Sequence, residues 1–321
     1  VEPMALNGHF HLHFYPRLGR QVQRVQPELL HIDEEPYNLA TAHALWLAQS
    51  AGARSLFFSW QNLQRRYPWP FRLLERYVLG SADYAIVGNQ ESGQVWRAKG
   101  YRGPLAVIPQ FGIDPEVMSP PNAAQRQLSG GRGFIVGYVG RLVEEKGVDL
   151  LLEALAGLEG SWRAYILGSG PEHEALQAQA QRLGLGPRVS FDEWIPSSQT
   201  PGYYRQLDVL VLPSRTRPNW KEQFGRVLVE AMACGVPVIG SNSGEIPNVI
   251  GDAGLLFPEG DADGLRQHLA HLLQNPGLRR ELAERGRARV LARYTQAQVA
   301  AQTYRVYQEI LEARQAPHAT A

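Results

Sequence analysis

From residue 28 onward, short apolar runs alternate with helix-length amphipathic segments: LLHI, NLATAHALWLAQSAG, RSLFFSW, PFRLLERYVLGSA, DYAIVGN, QVWRAKG and PLAVIPQ. That alternation predicts a parallel sheet with crossover helices. The rhythm breaks at FGIDPEVMSPPNAAQRQLSGGRG, rich in Pro, Gly, Ser and Gln, so residues 115–133 read as a linker. It restarts at GFIVGYVGRL and continues through RAYILGSG, RVSFDEW, DVLVLPS and, after a further helix, PVIGS and AGLLFP. Three helical patterns close the chain: GLRQHLAHLLQ, LRRELAERGRARVLARY and QVAAQTYRVYQEILEAR. The expected architecture is two α/β domains, residues 1–117 and 118–298, with a crevice between them. A last helix, 299–321, is expected to pack back toward the first domain. Ligands of such sheets sit beyond the carboxyl ends of the strands.

Composition narrows the function classes. The net charge is +1, so no global field recruits nucleic acid. One cysteine, Cys234, excludes an internal disulfide framework and reads as a small core residue in a reducing compartment. No stretch reaches the length of a membrane span and no signal peptide opens the chain, so the expected location is cytoplasmic. In GHFHLHFY, His9, His11 and His13 alternate and would share one face of a strand. Half-buried packing explains such a strand better than a metal site, and no metal is expected.

Chemistry is concentrated in the turns that follow the strands. After FIVGYV come Gly140 and Arg141, then Lys146 and Gly147 before a helix near Val148. A glycine at a strand end lets backbone approach a ligand, and two cations five residues apart suit a diphosphate. Lys146 is one of only three lysines among 32 basic residues, the others being Lys99 and Lys221. The turn LGSGPEHEA starts like a dinucleotide fingerprint, with Asp192 at the acidic position, but position 173 is His where a third glycine is required. A nicotinamide-dependent oxidoreductase is therefore disfavoured.

PNWKEQFGRVLVEAMACGV carries two glutamates, Glu222 and Glu230, around a helix expected to start near Phe224. Eight residues of helix would separate them by about 12 Å, the reach of a nucleotide sugar. Amides of residues 224–226 would form an anion site at the positive helix end. Each glutamate would then accept hydroxyls on one side of a bound diphosphate. The alternative is that Glu222 complements the helix dipole and Glu230 pairs with an arginine. The uncharged run around Glu230 favours a ligand partner, because an unpaired carboxylate there is costly.

VGRLVEEKGVDLLLEAL, ILGSGPE, DVLVLPS, EQFGRVLVEAMACGVPVIGSNSGEIPNVI and GLLFPEGD together resemble the donor-binding half of retaining glycosyltransferases of family 4. The resemblance is dense over residues 133 to about 260, and DYAIVGN to VIPQFGIDPEVMSP resembles the end of that family's first domain. It implies a GT-B fold, two Rossmann-like domains with parallel sheets facing across a cleft, with an acceptor-side first domain and a nucleotide-sugar donor domain. By this resemblance Arg141 and Lys146 grip the donor pyrophosphate, beside the strand-end Gly140, and Glu222 holds the transferred hexose. Gln223, Phe224 and Gly225 lie at the sugar and phosphate, Glu230 at the ribose, and the main chain near Trp194 and Ile195 at the base. The co-substrate would be a UDP- or GDP-sugar, with no cofactor and no metal, and the product would retain the anomeric configuration.

Two departures qualify the resemblance. The family's histidine near the sugar is replaced by Gln61 in FFSWQNL, which hydrogen-bonds but does not titrate. The family's first strand and Gly-rich turn have no match before LLHIDEEPYN, so the first domain reads as lacking its first elements. Uncovered apolar surface would invite self-association. A truncated, non-catalytic sugar-nucleotide-binding module is the main alternative, with a GT-B epimerase or phosphorylase behind it. On the acceptor side, His31, Glu34 and Glu35 either touch acceptor hydroxyls or form an ordinary acidic turn. The acceptor itself, a glycan, a lipid-linked or a small molecule, is left open. QRRYPWPFRLLERY, residues 64–77, either lies on an anionic membrane or is a core-facing helix with solvated arginines, and the second reading is favoured.

Overall fold

Leu56 and Phe58 pack into one apolar cluster and Phe57 into another, so a single strand is buried on both faces. Such a strand belongs inside a parallel sheet covered by helices. In the computed structural model, which describes residues 3–9, 11–122 and 133–315, it does. The chain divides into two units, Val1–Gln110 with Val299–Ala321, and Phe111–Gln298.

The first unit contains α1 (Leu18–Val25), β1 (Leu29–Ile32), α2 (Leu39–Ser50), β2 (Arg54–Ser59), α3 (Trp69–Ser81), β3 (Tyr84–Val87), α4 (Gln90–Ala98) and β4 (Leu105–Val107). Its strands pair in parallel in the order β1-β2-β3-β4, with Phe57 opposite Ala85 and Ile86 opposite Ala106. One face of this sheet is filled by Leu45 from α2, Val78 from α3 and Trp96 from α4.

The second unit continues with β5 (Phe134–Val139), a 3₁₀ turn (Glu144–Lys146), α5 (Val148–Ala156), β6 (Trp162–Leu167), α6 (His173–Arg182) and β7 (Val189–Asp192). Then follow α7 (Thr200–Tyr204), β8 (Val209–Leu212), α8 (Arg226–Ala233), β9 (Val238–Ser241), α9 (Ile246–Ile250) and β10 (Leu255–Phe257). Helices α10 (Ala262–Gln274), α11 (Pro276–Arg293) and α12 (Gln296–Gln315) complete the described chain. The six strands are parallel in the order β10-β9-β8-β5-β6-β7. After β7 the chain returns to the other side of β5 and pairs Val136 with Val209. The loops after β5 and β8 therefore diverge at a topological switch point, where an open α/β sheet forms a ligand crevice at its carboxyl edge. From Val299 onward α12 belongs to the first unit and closes the second face of its sheet with Val306 and Ile310.

Two expectations are corrected, and a third falls largely outside the described residues. The first unit ends at Gln110 rather than residue 117, because Ile113 is tied to the second unit through Tyr294 O (2.8 Å) and Gln296 N (2.9 Å). Of the proposed linker, residues 123–132 lie outside the described residues. The alternating histidines do not lie on a strand: His11 and Leu12 form a turn, and Ala5 and Phe14 on either side form an isolated antiparallel bridge. His11 Nδ1 lies 3.1 Å from Asn38 Oδ1 and His13 Nε2 lies 2.9 Å from Glu34 Oε1, while His9 is exposed. Among the described residues no cluster of His, Cys, Asp or Glu is arranged to hold a metal ion, and no helix is long and apolar enough to cross a membrane.

Gly147 links the 3₁₀ turn to α5 at φ 68°, and a Cβ there would stand 2.1 Å from Pro213 O at the end of β8. Left-handed backbone and the close approach both demand glycine. Gly147→Ala is expected to cost about 3 kcal/mol or more, read as a lower urea midpoint. An unchanged midpoint would show that the two loops do not pack as described.

Candidate functional site

The side chains that follow β5 and β8 meet at the switch point. Lys146, on the 3₁₀ turn after β5, places Nζ 2.6 Å from Glu222 Oε2 on the loop after β8. Ser214, at the end of β8, donates to the same oxygen at 2.9 Å. Both charged side chains are largely buried, 15% and 9% exposed, so each has lost much of its hydration. An ion pair in that position offsets its desolvation only with good geometry and further hydrogen bonds, which makes it weak evidence for stability. Lys146 also lies 4.9 Å from the ring centre of Trp220.

The loops are braced on both sides. Arg215 reaches Asp149 Oδ2 at 2.7 Å, Arg217 pairs with Glu144, and Thr216 donates N–H and hydroxyl to Glu259. The main chain of Glu222 is held by Glu245 N–H on its carbonyl at 3.1 Å. Gly244, at φ 52°, lets that approach happen: a Cβ would stand 2.1 Å from Glu222 O. Close packing of this kind holds a carboxylate in one orientation.

Arg141 is unlike its predicted partner Lys146. Its side chain is 67% exposed and stands 3.9 Å from Glu145, while its carbonyl accepts from the buried Tyr138 hydroxyl at 2.8 Å. The backbone is pinned and the guanidinium is extended into solvent. Gly140 precedes it, with Gly168 packed so close that a Cβ on Gly168 would stand 1.8 Å from Gly140 O. The Gly-x-Gly of LGSGPE thus serves backbone contact between the β5 and β6 turns.

The helix after Glu222 starts at Arg226 rather than near Phe224, with Gly225 as its cap at φ 74°. Glu222 lies in the loop before it, so the helical rise used to space the two glutamates applies only from Arg226 onward. Phe224 is buried with its ring edge-on to Tyr294, and Gln223 is exposed. Glu230, expected to meet a ligand, has protein partners on both carboxylate oxygens. Tyr204 donates to Oε2 at 2.7 Å and Arg226 Nε to Oε1 at 2.7 Å. A buried carboxylate needs such partners, and Tyr204, outside the quoted motifs, carries no sequence signal as one. Trp194 is 72% exposed and Ile195 partly exposed, beyond the end of β7.

Residues 121–289 match the family described as glycosyl transferases group 1. The chain belongs to that family. It is 33% identical over 187 residues to a GDP-mannose-dependent alpha-(1-6)-phosphatidylinositol monomannoside mannosyltransferase of Mycolicibacterium smegmatis, a match spanning 54% of this chain and 49% of that protein. It is 30% identical over 240 residues to a D-inositol 3-phosphate glycosyltransferase of Corynebacterium jeikeium, spanning 68% and 56%. This group 1 chain thus spans about half the length of the curated relatives it matches. Among solved structures, sucrose-phosphate synthase from Thermosynechococcus elongatus superposes with a TM-score of 0.73 at 26% identity, over 92% of this chain and 77% of that one. The two Rossmann-like units are those of the GT-B fold.

In the first unit of this family member, the acceptor-side candidates are spent on internal contacts. Gln61 is buried, donates through Nε2 to Leu63 O at 3.0 Å and accepts from the Tyr67 hydroxyl at 3.0 Å. Glu34 meets His13 and accepts from Asn38 Nδ2 at 2.7 Å. His31 bonds the Tyr307 hydroxyl through Nδ1 at 2.7 Å, leaves Nε2 buried without a partner, and is held below its ordinary pKa by burial, against the pull of Asp33.

Glu35 stands out electrostatically. It accepts from Ser59 Oγ at 2.6 Å and from Trp60 N–H at 2.9 Å, locking the ends of β1 and β2 together. Burial outweighs those hydrogen bonds and pushes its pKa up to about 7. The folded chain therefore keeps a proton that the unfolded chain loses. This contribution is full below about 4.5 and is lost as pH rises through about 7, a change on the order of 3 kcal/mol. The stability of the wild type relative to Glu35→Gln is expected to fall by that amount between pH 4.5 and 8 in urea titrations. A difference that stays flat with pH would contradict the assignment.

Proposed function

We propose that this chain is a retaining glycosyltransferase of family 4, moving a hexose from a UDP- or GDP-sugar to a hydroxyl acceptor without a metal ion. The observation that carries the proposal is the contact of Lys146 with Glu222 at the carboxyl edge of the second sheet, at its switch point. A diphosphate drawn to Lys146 and Arg141 brings its sugar against Glu222. The names of the two relatives, one GDP-mannose-dependent and both referring to inositol-containing molecules, support a nucleotide-sugar donor and a hydroxyl acceptor.

In the proposed reaction the bond between the anomeric carbon and the diphosphate oxygen breaks, and negative charge grows on the diphosphate. Lys146 and Arg141 stabilise that charge more in the transition state than in the ground state, as do the amides before α8. Glu222 orients the sugar hydroxyls as positive character grows on the ring. The acceptor oxygen attacks from the face the diphosphate leaves, and its proton passes to the departing phosphate oxygen. Glu230, fixed by Tyr204 and Arg226, would offer its carboxylate to the ribose. Gln61, with both amide ends engaged, favours a positioning role over proton transfer on the acceptor side, and leaves a sugar-nucleotide-binding module without turnover as the second reading.

Calorimetry with UDP and GDP in EDTA, followed by product analysis with the sugar form of whichever binds, tests the proposal. Glu222→Ala is expected to lower transfer about 10³-fold while nucleotide affinity stays within a few-fold, since Lys146 loses only its competing carboxylate. Lys146→Ala is expected to weaken binding and transfer together. Retention is read from the anomeric proton of the first product. A fully active Glu222→Ala enzyme, or a wild type that binds neither nucleotide, refutes the assignment.

A further inference from the structure

Arg226 is the first residue of α8, directly after the Gly225 cap and one turn before Glu230. Its Nε meets Glu230 Oε1 at 2.7 Å, and its guanidinium lies 5.7 Å from the ring centre of Phe111. Those two contacts fix the head group from two sides. Among the described residues Nη1 and Nη2 have no hydrogen-bond partner, and the side chain is 57% exposed. The Glu230 side chain is only 11% exposed, and Oε2 takes the hydroxyl of the fully buried Tyr204 at 2.7 Å. One buried acceptor and one exposed donor group therefore stand side by side, both held in place.

Lone pairs decide what the pair can still take. An ionised carboxylate offers about four acceptor sites and a guanidinium about five N–H donors. Tyr204 and Arg226 occupy one site on each Glu230 oxygen, and Glu230 occupies one donor of Arg226. A vicinal diol matches the remainder: each hydroxyl donates to a Glu230 oxygen while an oxygen of the same diol accepts from an Arg226 Nη. A diphosphate bridge does not, because it brings only acceptors to Glu230, and the charge of Arg226 is already balanced there. We infer that Arg226 is a specificity residue of the donor site: with Glu230 it forms a fork for the ribose diol that selects ribonucleotide over 2′-deoxyribonucleotide donors. This rests on the nucleotide-sugar reading of the second unit. A donor without the 2′-hydroxyl leaves charged partners unanswered where Glu230 has little water, which is costly. Phe111 and Glu230 hold the guanidinium before any ligand arrives, so little rotamer freedom is lost on binding. Lysine in its place would supply a point charge without the planar fork.

The test is calorimetry on the full chain with UDP, GDP, their 2′-deoxy forms and inorganic pyrophosphate, in the wild type, Arg226→Leu and Arg226→Lys. With whichever base binds, the wild type is expected to prefer the ribose form about 10- to 100-fold, the range for hydrogen bonds to charged groups. Arg226→Leu is expected to cut that preference at least about fivefold, and Arg226→Lys to leave it equally low, while pyrophosphate affinity stays within about twofold in both. Arg226→Lys keeps Glu230 paired and carries the test if Arg226→Leu does not fold. A wild type indifferent to the 2′-hydroxyl, or a preference that survives in Arg226→Leu, overturns the fork. So does a preference restored in Arg226→Lys, because lysine serves equally well as a mere counter-charge for Glu230. Pyrophosphate binding lost in Arg226→Leu would move the residue to the diphosphate and overturn the ribose role. A wild type that binds none of the nucleotides refutes the donor reading and the fork together; nucleotide binding with an unchanged preference refutes the fork alone.

Discussion

The contact of Lys146 with Glu222 depends on strand order. Their side chains meet because β5 and β8 are neighbours in the sheet although two strands and three helices separate them in sequence. Parallel pairing points both strands the same way, so the loops after them emerge at the same edge. Gly147 and Gly244 remove side chains where backbone must pass, Ser214 and Trp220 hold the lysine and glutamate in place, and Arg215, Arg217 and Thr216 brace the loop between them.

Three carboxylates show how environment divides one chemistry. Glu222 faces a lysine and a hydroxyl, Glu230 a phenol and an arginine, and Glu35 only a hydroxyl and backbone amides. Burial of Glu35 outweighs its hydrogen bonds, and its pKa rises to about 7. Burial favours the neutral form when no opposite charge answers it. The acidic cluster DEE in the first unit is thus not one feature: Glu34 is a surface partner of His13 and Asn38, and Glu35 is a latch between strand ends.

Much of the fold was legible because its signals are local. The continuous apolar run in RSLFFS, which marks a strand buried on both faces, and the helical spacing in RVLVEAMA are both local signals, and a strand and a helix form over them. Boundaries moved where tertiary contacts competed: Ile113 left the first unit for Tyr294 and Gln296, and Gly225 delayed α8 to Arg226. The alternating histidines followed no strand, because aromatic and imidazole side chains there pack against α2 and its neighbours rather than along a sheet. Tyr204 lies outside every motif, and Ser214 and Trp220 lie inside motifs that give them no role, since a hydrogen-bond donor or an aromatic face acquires its meaning only from what stands opposite.

By itself the sequence determined the two α/β units and singled out Arg141, Lys146 and Glu222 in the turns after their strands, with Glu230 on the helix that follows. Those properties follow from side-chain period, glycine placement and spacing, which are written along the chain. Tertiary structure alone decided that Lys146 and Glu222 touch, that Glu230 is held by Tyr204 and Arg226, that Arg141 reaches into solvent, and that Gln61 is spent on Leu63 and Tyr67. Partnerships of this kind depend on which strands become neighbours and on how much water each group loses. Neither is a property of any local stretch of sequence.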